Sequence, residues 1–147
     1  MMMKNILKDT PFITYYFYEE EGLFLFDYKP SCELMSQEEF QEFIIELKTL
    51  TTEKKPRFMV DYSVNRLYIV EPQMQEWTVQ QLAPAWMGFG LEKYCQILAK
   101  DLVSNLSGQQ TVKEAEKIPN MFETKFFNEL QNALDWFGIS KPLDLAL

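Results

Sequence analysis

Few side chains in this sequence are of the types that most often carry out chemistry. The chain has no histidine, which removes the commonest general base, zinc ligand and near-neutral pH switch. Its two cysteines, Cys32 and Cys95, lie far apart and form no CxxC pair. We therefore predict two reduced thiols, with Cys95 buried in a strand and Cys32 more accessible in a loop. We predict no metal site and no cofactor.

Four carboxylates are the remaining candidates for acid–base chemistry: Asp27, Asp61, Glu71 and Glu123. Without histidine, neither a Ser-His-Asp nor a Cys-His arrangement can form. The distances that decide carboxylate catalysis do not follow from the sequence. No GxxxxGK[ST] or GxGxxG pattern is present, so a glycine-rich phosphate loop is not predicted. We predict no catalytic residue, and an enzyme ranks as a distant third function.

A small polar site is predicted around the end of an apolar segment. Asp61 lies at the C-terminal end of that segment, and Ser63, Arg66 and Glu71 follow in the next loop. Ligands of open α/β sheets bind at the carboxyl ends of strands, and an arginine fork suits an anion. The alternative, which is the more frequent case, is that Arg66 pairs with Asp61 or Glu71 and only stiffens the loop.

A second candidate site is apolar. Its large, adaptable side chains are Met74, Trp77, Trp86 and Phe89. Such residues line pockets for lipids or aromatic ligands and lie at the centres of interfaces, although an apolar helical stripe is more often core. We expect Trp77 to be core and Trp86, which follows Pro84, to be exposed.

These candidates must be positioned by strands and helices that the sequence pattern also predicts. In chain order, the patterns predict strands at 12–19 and 23–28, a helix at 37–52, a strand at 57–62, a helix from Pro72 that kinks or ends at Pro84, a strand at 93–99, a helix capped by Asp101 with a break near Ser107, a strand at 121–127, and a helix that starts after Asn128 and stops at Gly138.

Alternation of this kind indicates parallel strands joined by helical crossovers. We therefore predict an α/β fold with a mixed sheet of about five strands, opened by a β-hairpin, and about four helices. The 147 residues suit one domain, residues 1–147, with a core at about 12–137.

The order of elements resembles the small STAS-type proteins, whose fold is that of the SpoIIAA-like anti-sigma-factor antagonists. The resemblance rests on the hairpin, the segment 58–63, the helix start at 72–77 and the segment 122–127 before the last helix. It implies the STAS fold, which is also described as similar to CRAL-TRIO lipid-transfer domains. Many stand-alone members have no assigned function.

The sequence departs from the signalling members of this family at one place. Those members carry a phosphorylated serine in an Asp-Ser-Ser-Gly motif at the start of a helix, whereas this chain has Ile69-Val70-Glu71-Pro72. Glu71 therefore either stands in permanently for a phosphoserine or, in the commoner case, only caps the helix that Pro72 opens. We predict no serine switch there.

Composition narrows the range of partners. The formal charge is -8, and only two of the 147 residues are arginine, which opposes binding to nucleic acid and to anionic membranes. No signal peptide or membrane span is recognisable, so we predict a cytoplasmic location. The predicted function is non-catalytic protein interaction or regulation, with a protein partner and with a homodimer as an option. The alternative is a carrier or sensor of a small apolar ligand or lipid.

Overall fold

A computed structural model describes residues 5–140 and Leu143 and shows an α/β fold. Its six-stranded mixed sheet has the strands in chain order, β1 to β6. The elements are β1 (Ile6–Asp9), β2 (Ile13–Tyr18), β3 (Leu23–Tyr28), a short 3-10 helix (Pro30–Leu34), α1 (Gln37–Lys54), β4 (Phe58–Tyr62), α2 (Pro72–Phe89), β5 (Lys93–Ile97), α3 (Leu102–Ala115), β6 (Glu123–Phe127) and α4 (Leu130–Phe137). The predicted fold class is confirmed, with one strand more than expected.

The predicted hairpin is formed by β2 and β3. Ile13 pairs with Tyr28 and Tyr18 pairs with Leu23 in an antiparallel register. Gly22 closes the connection with a positive φ of 64°, a conformation that glycine adopts without steric cost. Nearly every side chain of both strands is buried, because the sheet is covered on both faces.

Helices cover the two faces of the sheet unequally. The strands β3 to β6 are parallel neighbours, and helices α1, α2 and α3 pack with one face of the sheet around Phe24, Met59 and Tyr94. The residues that alternate with these, such as Leu25 and Val60, form a second core with α4. Asp61 and Gln96 lie two residues after Met59 and Tyr94, respectively, so their side chains share the face covered by three helices.

The first helix begins as the sequence predicts. Ser36 accepts a hydrogen bond from the backbone of Glu39, and the Glu39 carboxylate accepts one from the backbone of Ser36, so the capping box is present. The helix ends two residues later than predicted, at Lys54, and Lys55 follows in the left-handed conformation.

Two predicted helix breaks are wrong. Helix α2 continues through Pro84 to Phe89, because Pro84 lies on the exposed side while Leu82, Ala83 and Trp86 are buried and hold the turn in place. Helix α3 is also continuous through Ser107, whose hydroxyl donates to the carbonyl oxygen of Ser104 within the helix.

Other predicted elements differ in their bounds, and one strand is additional. The strands predicted at 12–19, 93–99 and 121–127 are shorter, at Ile13–Tyr18, Lys93–Ile97 and Glu123–Phe127. The strand β1 was not predicted at all; it pairs antiparallel with β2 and lies outside the predicted core of 12–137. Helix α4 begins after Glu129 rather than after Asn128, with no side-chain cap, and ends at Gly138 as predicted. Within the part of the chain that the structure describes, no helix is both long and apolar enough to cross a membrane.

Candidate functional site

A cavity of about 80 Å³ lies between the sheet and helices α1, α2 and α3. We name it the core cavity. Most of its wall is apolar and includes Phe26, Leu47, Leu82, Trp86, Val112 and Phe122. Its polar wall is formed by Asp61, Arg66, Thr78 and Tyr94, together with Thr111 and Thr124. A mostly apolar cavity with a few convergent polar groups is the usual form of a small-molecule site.

Asp61 is the centre of the polar wall. It is 5% exposed and accepts hydrogen bonds from the Ser63 hydroxyl and, at 2.8 Å, from the Tyr94 hydroxyl. Burial raises the pKa of the Asp61 carboxyl above its ordinary value, although Arg66 and the two hydroxyl donors act in the opposite direction. The structure therefore brings Asp61 and Ser63 together, as the sequence predicts.

Arg66 is buried beside this carboxylate without forming an ion pair with it. Its Nε donates to the Ser104 hydroxyl at 2.9 Å and its Nη2 donates to the Ser104 carbonyl oxygen at 2.6 Å. The guanidinium lies 5.3 Å from the centre of the Tyr28 ring. Among the described residues, the ion pairs within 4.0 Å do not include Arg66. The predicted alternative is therefore not formed as a direct ion pair, although the charge of Arg66 still acts to lower the pKa of the Asp61 carboxyl.

Gly108 explains how a guanidinium fits between the sheet and α3. A Cβ at this position would lie 2.1 Å from Nη2 of Arg66 and 2.3 Å from Nε2 of Gln96. Both distances are far below a van der Waals contact, so any side chain here would displace the arginine. No sequence motif indicates this requirement, although small residues do lie at helical spacing on the buried side of α3, at Ser104, Ser107 and Gly108.

Two buried polar atoms near the cavity have no partner. The hydroxyl of Thr78, which lines the core cavity, and Oε1 of Gln96 form no hydrogen bond. Thr78 is 7% exposed and Gln96 is fully buried. Unpartnered buried polar atoms are uncommon and indicate a water or a ligand that completes the hydrogen bonding.

The predicted apolar site is divided by the structure. Trp86 is buried at 4% exposure, lines the cavity, and donates from Nε1 to the Thr51 hydroxyl at 2.9 Å. Its predicted exposure is wrong because α2 does not end at Pro84. Met74, Trp77 and Phe89 are partly buried and pack against the outside of the same core. They do not line the cavity.

Glu71 lies apart from the cavity. It is exposed, occupies the N-cap position of α2, and forms no side-chain capping bond. Its backbone carbonyl accepts from Gln75. The structure therefore places Glu71 in solvent at a helix N-terminus and does not bring it together with Asp61, Ser63 and Arg66.

A third feature was missed in the sequence. Five large apolar side chains are exposed on adjoining segments, and we name them the apolar surface: Leu67, Ile69, Leu102, Val103 and Leu106. The loop and the helix are joined where the Ser104 hydroxyl donates to the carbonyl of Tyr68 and where the Val70 amide donates to Ser107. Because small residues occupy the buried side of α3, its large apolar residues face solvent.

The prediction that Cys32 is accessible in a loop is wrong. Cys32 is fully buried in the 3-10 helix, like Cys95 in β5, and burial raises the pKa of both thiols. No group of three or more histidine, cysteine or acidic residues able to hold a metal ion occurs among residues 5–140 and Leu143.

Comparison of this chain with protein-family models, with curated proteins and with solved structures finds no match in any of the three. The STAS-like family therefore stays a prediction, based on the order of elements and the segments named above.

Proposed function

We propose that this chain is a non-catalytic, STAS-like protein-interaction domain of the cytoplasm. The observation that supports this function best is the apolar surface. Leu102 is 70% exposed, Val103 53% and Ile69 50%. Scattered exposed apolar residues are normal, but a group on adjoining segments is typical of a protein-binding site.

The charge of the chain favours a particular kind of partner. With a formal charge of -8, two copies of this protein repel each other, whereas a basic protein is attracted and binds faster at low salt. We therefore propose a different protein that has a net positive charge and packs apolar side chains against the apolar surface formed by α3 and the loop 66–70. A homodimer is the less favoured occupant.

The proposed domain works without a serine switch. Positions 69 to 72 hold no hydroxyl. The serine nearest in the sequence, Ser63, is fully buried and hydrogen-bonded to Asp61, so a kinase has no access to it in the folded protein. Regulation by phosphate at this loop is not part of the proposal.

The test places a photo-crosslinking residue at position 106 in cells that contain the partner. A matched control places it at Ile45, which is 43% exposed on α1, outside the apolar surface. The cross-linked partner is identified by mass spectrometry and purified. Its affinity is then measured for the wild type, for Leu102→Gln/Leu106→Gln and for Ile45→Gln, at low and high salt.

We expect a basic partner that cross-links at position 106 and not at 45. Its affinity should fall at least about tenfold in the double variant, because two exposed leucines contribute more than 1.4 kcal/mol when buried together. Binding to Ile45→Gln should be unchanged. Cross-linking of 106 only to a second copy of the chain, or equal affinity of all three proteins, contradicts the proposal.

The core cavity favours a second candidate function, a carrier or sensor of a small ligand. Native mass spectrometry of gently purified protein tests it without knowledge of the ligand. Extra mass that disappears on denaturation supports a carrier. A mass equal to that of the bare chain under both conditions contradicts tight carriage.

A further inference from the structure

The core cavity is lined by two charged groups that already form hydrogen bonds and by one buried hydroxyl that forms none. The Thr78 hydroxyl has no partner. The Asp61 carboxylate and the Arg66 guanidinium line the same cavity and are both nearly fully buried. They are too far apart for an ion pair, since none is formed within 4.0 Å between them among the described residues.

These groups decide what charge an occupant can carry. An anion would be attracted by Arg66 but would lie beside the buried carboxylate of Asp61. A cation would be attracted by Asp61 but would lie beside the buried guanidinium of Arg66. Burying a net charge in such a site is costly unless it is paired. An uncharged group that both donates and accepts hydrogen bonds, such as a hydroxyl, satisfies Thr78 without adding a charge beside Asp61 or Arg66.

The remaining wall limits the size and the polarity of the occupant. At about 80 Å³, the cavity is roughly half as large as an apolar cavity of about 150 Å³ that binds benzene. It therefore accommodates about three to five non-hydrogen atoms. Leu82, Trp86 and Phe122 provide apolar contact for the end of the molecule that points away from the polar wall.

We propose that the core cavity binds one short, uncharged molecule that carries a hydroxyl group at one end and a hydrocarbon group at the other. The hydroxyl hydrogen-bonds to Thr78 on the polar wall, and the hydrocarbon end packs against Trp86. This inference rests on the second candidate function, the small-ligand carrier or sensor, and specifies the chemical class of its ligand.

The experiment compares three probes that share one carbon chain and differ in charge: 1-propanol, propanoate and propylammonium. Each is titrated into the isotope-labelled full chain, and amide chemical shifts are followed by NMR. Shifts at Thr78, Tyr94 and Val112 report on the cavity, and the exposed residue Thr49 reports on unspecific effects. The titration is repeated with Thr78→Val, whose lost hydroxyl has no partner to leave behind, and with the control Thr49→Val.

We expect saturable shifts at the cavity residues with 1-propanol and little or no binding of the two charged probes. Thr78→Val should bind 1-propanol about 2- to 12-fold more weakly, the loss expected for one neutral hydrogen bond. Thr49→Val should bind as the wild type does.

The possible failures are distinguishable. If a charged probe binds as well as 1-propanol, or if Thr78→Val binds it unchanged, the ligand class is wrong while a carrier function stands. If none of the probes shifts the cavity residues, the inference is overturned, and native mass spectrometry decides separately whether the protein carries another ligand.

Discussion

Replacement of Trp86 by alanine tests the placement of this side chain most directly. Burial of a tryptophan removes about 150–250 Å² from water, which corresponds to about 4–6 kcal/mol at about 25 cal/mol per Å². Trp86 is 4% exposed and contacts the rings of Tyr94 and Phe122 at centroid distances of 5.6 and 6.0 Å. Because alanine retains a little of this contact, we expect Trp86→Ala to destabilise the protein by about 3–5 kcal/mol.

Trp77 is the matched control on the same helix. It is only partly buried and packs at the edge of the same core. We therefore expect Trp77→Ala to cost about 2 kcal/mol or less. Urea unfolding followed by far-UV circular dichroism gives both free energies of unfolding, provided that the denaturant slope is the same in the two variants. From the sequence alone, Trp77→Ala is expected to cost more stability than Trp86→Ala, which is the opposite order.

The hydrogen bond from Trp86 to Thr51 gives a finer test. Trp86→Phe keeps an aromatic ring but removes the Nε1 donor that lies 2.9 Å from the Thr51 hydroxyl. A double-mutant cycle with Thr51→Val should give a coupling free energy of about 1 kcal/mol. A cost for Trp77→Ala that exceeds the cost for Trp86→Ala, or a coupling close to zero, refutes the placement of Trp86 in the core.

Three further predictions concern other parts of the fold. Gly108→Ala should destabilise the protein by about 1–3 kcal/mol, because the added Cβ overlaps the buried guanidinium of Arg66. The control Gly88→Ala, whose Cβ meets open space, should stabilise α2 by about 0.5–1 kcal/mol. Urea unfolding measures both free energies, and equal effects of the two substitutions would contradict the packing at α3. Burial raises the pKa of Asp27 to about 6, so the folded state binds the extra proton and stability falls as the pH rises from about 4 through about 6. Between pH 5 and pH 7.5, the free energy of unfolding of Asp27→Asn should therefore rise by about 1 kcal/mol relative to that of the wild type, a figure reduced for the partial exposure of Asp27. A difference between the two proteins that stays constant across this pH range would refute the prediction. Both Cys32 and Cys95 should react with a thiol reagent far more slowly than a free exposed thiol, with Cys95 the slower because it lies in a central strand. Rapid labelling of Cys32 in the native protein would contradict its burial and support the accessible position predicted from the sequence.

Elements defined by strong local signals could be predicted from the sequence. The capping box at Ser36 and the left-handed glycine at Gly138 fix helix ends through hydrogen bonds between near neighbours. The hairpin is fixed by two aromatic runs around Gly22. Each signal lies within a few residues, so tertiary contacts did not override it.

Features decided by distant contacts could not be predicted. Pro84 is a helix breaker by local rules, but the burial of Leu82 and Trp86 on either side of it keeps α2 continuous. Cys32 lies in a short connection, and its burial depends on packing against the distant loop near Tyr68. These contacts have no counterpart in the neighbouring sequence.

The candidate site likewise combines contacts that follow from local geometry with contacts between residues far apart in the sequence. Asp61 and Ser63 are two residues apart at the end of a strand, so their contact follows from local geometry. The partner of Arg66 is Ser104, 38 positions away, and it is accessible only because Gly108 has no side chain. The sequence could thus indicate Asp61, Ser63 and Arg66 as members of the site but not the distant residues that hold the arginine in place.

The loop 66–70 connects the two proposed binding sites. Arg66 and Val70 are buried and line the core cavity, whereas Leu67 and Ile69 between them are exposed on the apolar surface. Because side chains alternate along this segment, a movement that shifts Arg66 toward a ligand also shifts Ile69 relative to α3. If both sites are occupied as proposed, 1-propanol must change the affinity for the protein partner by the same factor by which the partner changes the affinity for 1-propanol. A factor of one would mean that the hydrogen bond from Val70 to Ser107 holds the loop rigid and that the two sites act independently.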